Sequence, residues 1–263
     1  MNNIACLVEY DGSGFYGFQK QNEVRTIQTE LEKALSQFTN QKIAVTCAGR
    51  TDTGVHATGQ VINFITNTNR PLSGYTRGVN ALLPKDITII KAVSVPDNFH
   101  ARFNAISRTY NYYLYNWPTR PAILNSKVGW YHGELEIPAI KKACAMLVGE
   151  HNFSTFRASQ CQANNPVKIM HQCEVEISPL HPKILCFKFC ANSFLHHMIR
   201  NIIGSMVYIG NGKLSINQFK ELINSKNRVY APPTFMADGL YFTQANYPSE
   251  VLDFNSSLEK FLI

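Results

Sequence analysis

AGRTDTGVHATGQ, residues 48–60, lies between two segments that read as strands, KIAVTCAG (42–49) and TGQVINFIT (58–66). Gly49, Gly54 and Gly59 let this stretch turn tightly and approach a ligand closely. Working outward, IACLVEYDG (4–12) is an apolar strand that breaks at Asp11-Gly12. Ile27, Leu31, Leu35 and Phe38 recur at helical spacing, and Thr26 stands where an N-cap belongs. A short helix over 73–81 ends at LLPKD, and ITIIKAVSVP (87–96) is a β-branched strand that stops at Pro96. The first half therefore runs strand, helix, strand, strand, helix, strand.

The second half keeps the rhythm without repeating the sequence. SRTYNYYLYN (107–116), VKIMHQCEVEIS (167–178), ILCFKFCAN (184–192) and GLYFTQAN (239–246) read as strands, while 138–148, 194–209 and 215–225 read as helices. Two βαββαβ-like halves predict an α+β fold of two ferredoxin-like lobes, with antiparallel sheets flanked by helices and a substrate cleft between them. The expected division is 1–103, 104–247 and a tail at 248–263. No low-complexity linker marks the join at Phe103-Asn104.

Composition narrows the class. Hydrophobic residues make up 45% of the 263, enough for a core, and charged residues only 16%, which excludes a disordered chain. No window approaches the roughly 18 apolar residues of a membrane span. MNNIACLVEYDG lacks the pattern of a signal peptide, so a cytoplasmic, membrane-free protein is expected. The seven cysteines form no CxxC and no paired-ligand spacing, which favours reduced thiols over disulfides or a zinc site. The net charge is +7, of which residues 1–103 contribute +2 and 104–263 contribute +5. A spread basic excess suits a nucleic-acid partner, although many basic enzymes never touch RNA.

Three side chains stand out as chemistry. Asp52 sits between two threonines with Arg50 two residues away; alone, TDTG is more often a polar turn closed by an Asx hydrogen bond. Arg200 interrupts a helical stretch that is apolar nearly all round, and a half-buried guanidinium needs an anionic partner unless it snorkels to water. Tyr110 lies on an aromatic strand where Tyr110 and Tyr112 share one face and Tyr113 and Tyr115 the other. His196 and His197 are adjacent, about 100° apart if helical, and no carboxylate or cysteine motif accompanies them, so a metal pair is not expected.

GRTDTGVHA resembles the GRTDxGVHA signature of the TruA family of tRNA pseudouridine synthases. VEYDGSGFYGFQKQ (8–21), GVNALLPKDI (78–87), FHARFNAISRTYNYYLYN (99–116), GEHNFSTFRASQCQ (149–162), FLHHMIRNIIGSM (194–206) and DGLYF (238–242) are similar to further blocks of that family, in its order. The resemblance implies isomerisation of uridine to pseudouridine at positions 38 to 40 of the tRNA anticodon stem-loop, by a homodimer without metal or cofactor. It implies Asp52 as nucleophile, Arg200 as its cationic partner, and Tyr110 as the ring that stacks on the target base. It also implies RNA contacts at Arg50, Arg70, Phe99, His100, Arg102, Phe103, Arg157, Gln160, Gln162 and Lys168. The 160–168 loop departs from the family's more basic version, with Asn164 and Lys168 where arginines are usual, and Phe18 replaces a tryptophan. Two other classes fit parts of the pattern. A non-catalytic RNA-binding protein would not require a nucleophile, and a glycosidase would require a second carboxylate that the matching blocks lack.

Overall fold

The computed structural model describes residues 1–161, 163–249, 251–252 and 254. The expected RNA contact at Gln162, and positions 250, 253 and 255–263 of the tail, lie outside the described residues. The fold is α+β, with mostly antiparallel pairing, and it divides into two compact units: Met1–Arg108 together with the described residues from Tyr241 onward, and Thr109–Leu240. Among the described residues no helix is long and apolar enough to cross a membrane.

The first unit is built from β1 (Asn2–Tyr10), α1 (Ile27–Thr39), β2 (Thr46–Cys47), β3 (His56–Thr66), α2 (Leu72–Asn80) and β4 (Ile87–Val95). This is the predicted order. β1 pairs antiparallel with both β3 and β4. The Thr26 hydroxyl caps α1 by accepting from Thr29 N at 3.3 Å. Ile27, Leu31 and Leu35 are buried as the spacing predicts, whereas Phe38 is half-buried and fills a seat on the second helix. Gly74 and Gly78 make that seat, since a Cβ at Gly78 would lie 2.3 Å from the Phe38 ring. Phe38 also meets Tyr75 edge-on at 5.3 Å.

β2 is shorter than the KIAVTCAG reading. Helix α1 takes its place as acceptor: Ile43 N donates to Ser36 Oγ (2.9 Å) and Val45 N to Glu32 Oε1 (3.2 Å). These amides are satisfied locally, so no ladder is needed until Thr46. The far edge of β3 is consequently open for more than one neighbour. Its C-terminal half pairs with β2 at Asn63 and Ile62. Its N-terminal half pairs in parallel with β10 (Leu240–Asn246), Tyr241 beside His56 and Phe242 beside Ala57.

This pairing explains why the units part at 108/109 and 240/241, where the sequence reading puts joins at 103/104 and 247/248. Residues 104–108 are tied into the first unit. Ile106 N donates to Asn246 O (2.8 Å), and Asn246 Nδ2 to Ser107 Oγ (2.8 Å).

The second unit holds β5 (Ser107–Asn116) from Thr109 on, β6 (Gly129–Tyr131), α3 (Ile137–Ala145), β7 (Gly149–Asn152), β8 (Val167–Ile177), β9 (Ile184–Ala191), α4 (Met198–Gly210) and α5 (Ile216–Ser225). The strands run in the order β5-β9-β8-β7, with β6 parallel to β5. Phe187 and Phe189 point into the core while Lys188 between them is exposed. All seven cysteines are free thiols. Helix α4 starts four residues later than predicted. His197 adopts a left-handed conformation (φ 60°) at its N-cap, which ends any helical run from 194.

α4 is buried along almost its whole length, and one side chain explains how a connecting segment lies across it. Asn201, fully buried, donates to Phe156 O (2.7 Å), while its Oδ1 accepts from Thr234 Oγ1 (2.6 Å) and Arg228 Nη2 (3.1 Å). Gly204 lets that segment pass, because a Cβ there would stand 2.2 Å from Pro233 O.

The close β3–β10 pairing is directly testable. A Cβ at Gly59 would stand 2.0 Å from Thr243 O, a main-chain atom that cannot swing away. Gly59→Ala should cost about 1–3 kcal/mol, as overpacking does, read as a lowered urea midpoint. An unchanged midpoint would contradict the register.

Candidate active site

The loop 48–55 leaves β2 and enters β3, and nearly every turn of it is tied. Ala48 N donates to Val61 O (2.8 Å). The buried amide of Gln60 grips Gly49 from both sides, donating to Gly49 O (2.7 Å) and accepting from Gly49 N (3.4 Å). Thr51 O accepts from Phe18 N (3.0 Å), and its hydroxyl meets Tyr10 Oη at 2.7 Å. Gln60 Nε2 also approaches Tyr10 Oη (3.4 Å), which leaves the phenol to donate to Thr51. Val55 N donates to Asp52 O (3.1 Å), closing a tight turn around the half-buried aspartate.

The opening loop packs beneath this turn because glycines permit it. Gly17 has φ 87°, and a Cβ there would meet Thr51 O at 2.8 Å. Gly12 is tighter still against Val55 O, and Gly54 N donates to Phe15 O (3.4 Å). Arg25 holds the far end of the opening loop. It makes a two-pronged ion pair with Asp86 (2.8 and 2.9 Å) and lies 4.0 Å from the Phe15 ring.

Basic and aromatic groups border the loop within the same unit. Burial pushes the Cys47 thiol up to about 12, and the guanidinium charges of Arg50 and Arg102 pull against that rise. Both arginines are exposed, and both lie within electrostatic reach of Cys47. Phe103 is 74% exposed, stacked at 4.2 Å on His100, with the Arg102 guanidinium 5.6 Å from its ring. Phe99 differs from the RNA contact expected of it. Its ring is buried against Tyr247, and its carbonyl accepts from Asn3 and Asn63, so its side chain serves the core. Arg70 is exposed and stacks on Phe38 at 4.6 Å, near helix α2.

In the second unit Tyr110 is nearly buried on β5 and meets Phe194 edge-on at 5.1 Å. Tyr112 is packing: its hydroxyl donates to Met236 O (3.0 Å), and burial pushes its pKa well above the tyrosine range. Tyr113 and Tyr115 also make packing contacts, with Asn111 and His181. Arg200 is half-buried on α4. Its Nε donates to Phe235 O (2.9 Å), which anchors the guanidinium, and its carbonyl accepts from Phe235 N (3.1 Å). His196 and His197 stand on the turn before the helix with rings 4.0 Å apart. Arg157 and Lys168 converge on Cys161. Arg157 Nη2 donates to its carbonyl, and burial lowers the Lys168 pKa, with Cys161 pulling against that fall. Gln160 is exposed beside them.

Tyr10, Gln60 and Arg108 had no place among the expected site residues. Gln60 left one signal, an amide that, with Asn63, interrupts the apolar run of TGQVINFIT. The other two act through geometry that no spacing reveals.

The buried phenols and thiols give the protein a pH signature. Burial raises Tyr10, Tyr112 and Tyr247, and also Cys6 and Cys47, above their ordinary values. Unfolded thiols ionise near about 8.5 and phenols near about 10. The unfolded chain thus loses protons first as pH rises, and stability should be full below about pH 8 and fall through the alkaline range. Urea midpoints measured upward from neutral pH should show this, with a shallower decline above about pH 10 in Tyr10→Phe. A midpoint rising with pH would contradict it.

Comparison with known proteins completes the picture. The family model described as tRNA pseudouridine synthase matches residues 6–104 and 143–248. A protein of Paraburkholderia phytofirmans named tRNA pseudouridine synthase A is 47% identical over 250 residues, covering 95% of this chain and 92% of that protein. Proteins of the same name from Chromobacterium violaceum and Neisseria meningitidis serogroup C are each 47% identical, over 94% and 93% of this chain and 94% and 91% of theirs.

Proposed function

The chain belongs to the tRNA pseudouridine synthase family, and from that premise we propose that it isomerises uridines 38 to 40 of the tRNA anticodon stem-loop with Asp52 as nucleophile. The observation that carries the assignment is the Asp52 turn itself: a half-buried carboxylate on a main chain tied at residues 48, 49, 51, 52 and 54. The reaction breaks the N1–C1′ bond, turns the uracil, and joins C5 to C1′ with loss of the C5 proton. A carboxylate can serve by attacking C6, by attacking C1′, or by taking the C2′ proton to give a glycal. All three routes need it ionised.

Arg200 is the proposed cation that favours the ionised form. Its guanidinium, anchored through Nε to Phe235 O on an otherwise buried helix, supports that role. Tyr110 is the proposed stacking partner of the target base. Arg50, Arg102, His100 and the exposed Phe103 ring are the proposed RNA contacts of the first unit, with Arg157, Gln160 and Lys168 those of the second; Arg70 is proposed as a further phosphate contact. The homodimer, the cytoplasmic location and the lack of a metal or cofactor, all implied by the resemblance, belong to the same proposal.

Release of tritium from C5-tritiated uridine in tRNA tests the activity. A non-catalytic RNA-binding protein would release none, and a glycosidase would liberate free uracil. Asp52→Asn should bind tRNA and release no tritium; turnover by the pure variant would remove the nucleophile. Arg200→Lys should rescue poorly because an ammonium lacks the planar fork. The rate losses of Asp52→Asn and Arg200→Met should be strongly non-additive in the double variant. Strict additivity would separate the two residues.

Affinity for tRNA should fall with salt, by about −0.9 in log–log slope per neutralised phosphate on duplex and about −0.7 on single strands. A slope near zero would rule out a phosphate-backbone interface.

A further inference from the structure

Arg108 stands in a basic, aromatic stretch, FHARFNAISRTY, where the default reading of an arginine is a phosphate contact. Its side chain does something else. Nε and Nη2 donate to Ala48 O at 3.2 and 3.1 Å, Nη1 donates to Ala105 O at 2.9 Å, and Nη2 also reaches Arg102 O. One half-buried guanidinium therefore bridges the main chain of two loops of the same unit. Ala48 begins the turn that carries Asp52. Arg102 and Ala105 flank Phe103 in the loop whose tip is exposed.

That second loop has one fixed foot and one presented face. Asn3 and Asn63 hold Phe99 O, and the Tyr247 hydroxyl donates to Ala101 O (2.7 Å). Beyond that foot, Arg102, Phe103 and Ile106 face outward. A planar fork with several donors suits such a bridge, since it can meet carbonyls on two sides at once.

We propose that Arg108 is a positioning residue that locks the nucleophile turn to the RNA-facing loop 99–106, so that RNA engaged on Arg102 and Phe103 helps set the position of Asp52. The inference rests on Asp52 being the nucleophile. Asp52→Asn tests that premise separately: activity without the carboxylate would remove it whatever Arg108 does.

The test uses the full-length protein and unmodified tRNA, with enzyme in excess so that one turnover is read. Arg108→Gln and Arg108→Lys should each slow the single-turnover rate about 10- to 100-fold. Dissociation constants should stay within about twofold, and the salt slope of binding should not change, because the guanidinium faces carbonyls rather than phosphates. Lysine should not rescue, as one ammonium cannot span the three carbonyls. Arg102→Gln should lower the salt slope on its own, and its effect on the rate should largely vanish in the Arg108→Gln background. Hydrogen exchange adds a readout that general destabilisation would not mimic: protection should be lost at 48–54 and 100–106 and kept along β1. A wild-type rate would overturn the proposal. So would a slope reduced by about 0.7–0.9 in Arg108→Gln, additive rate effects with Arg102→Gln, or protection lost evenly across the unit.

Discussion

Two hydrogen bonds between one side-chain amide and one main-chain unit, Gln60 with Gly49, are the constraint on which the candidate site depends. They close the excursion between β2 and β3 at its base. Without that closure the turn would carry the conformational freedom of an open loop, and a carboxylate on it would sample many positions. Gln60 is itself buried, so the amide would be costly to leave unpaired, on the order of 1–3 kcal/mol. The remaining ties follow from this one. With Gly49 fixed, Thr51 meets Tyr10 and Phe18, and the glycines of the opening loop can fit beneath it.

The polar groups that build this frame are buried and neutral in the native protein. Tyr10 keeps its proton because burial disfavours the phenolate, and only the protonated form can donate to Thr51. The exposed charges lie outside the frame, on Arg50 and Arg102. Neutral, hydrogen-bonded support with cations exposed outside it is an arrangement suited to a polyanion, which needs a fixed reaction point and accessible phosphate contacts.

Much of this was legible in the sequence, and the limits have physical causes. Apolar spacing located α1 and Thr26 as its cap, because both are local effects. The order of elements in the first unit was readable for the same reason. β2 came out shorter because side chains of α1 satisfy the amides of Ile43 and Val45, a tertiary substitution no strand propensity records. β6 and β7 span three and four residues, too few for a period to declare itself. The start of α4 moved because His197 takes a left-handed conformation usually left to glycine or asparagine. At the site, motif reading singled out Asp52 and the arginines beside it, and the structure places Asp52 on a tied turn with Arg50 and Arg102 exposed. It gave Phe99 an outward role that burial assigns to the core. It passed over Tyr10 and Arg108, whose partners lie 41 and 60 positions away in the chain.

The parallel pairing of β10 with β3 bears on how the molecule is made. A ribosome delivers the chain from its amino end, and domains generally fold as they emerge. The first unit cannot do so completely. His56 and Ala57, four and five positions beyond Asp52, meet β1 and the opening loop early, but their neighbours on the other edge come only when Tyr241 and Phe242 have been synthesised, and the His56 ring lies 4.6 Å from that of Tyr241. The edge of β3 next to the Asp52 turn therefore stays open for most of translation. Completion of that edge is timed to the end of synthesis, so a nascent chain still on the ribosome carries the Asp52 turn beside an unfinished strand edge.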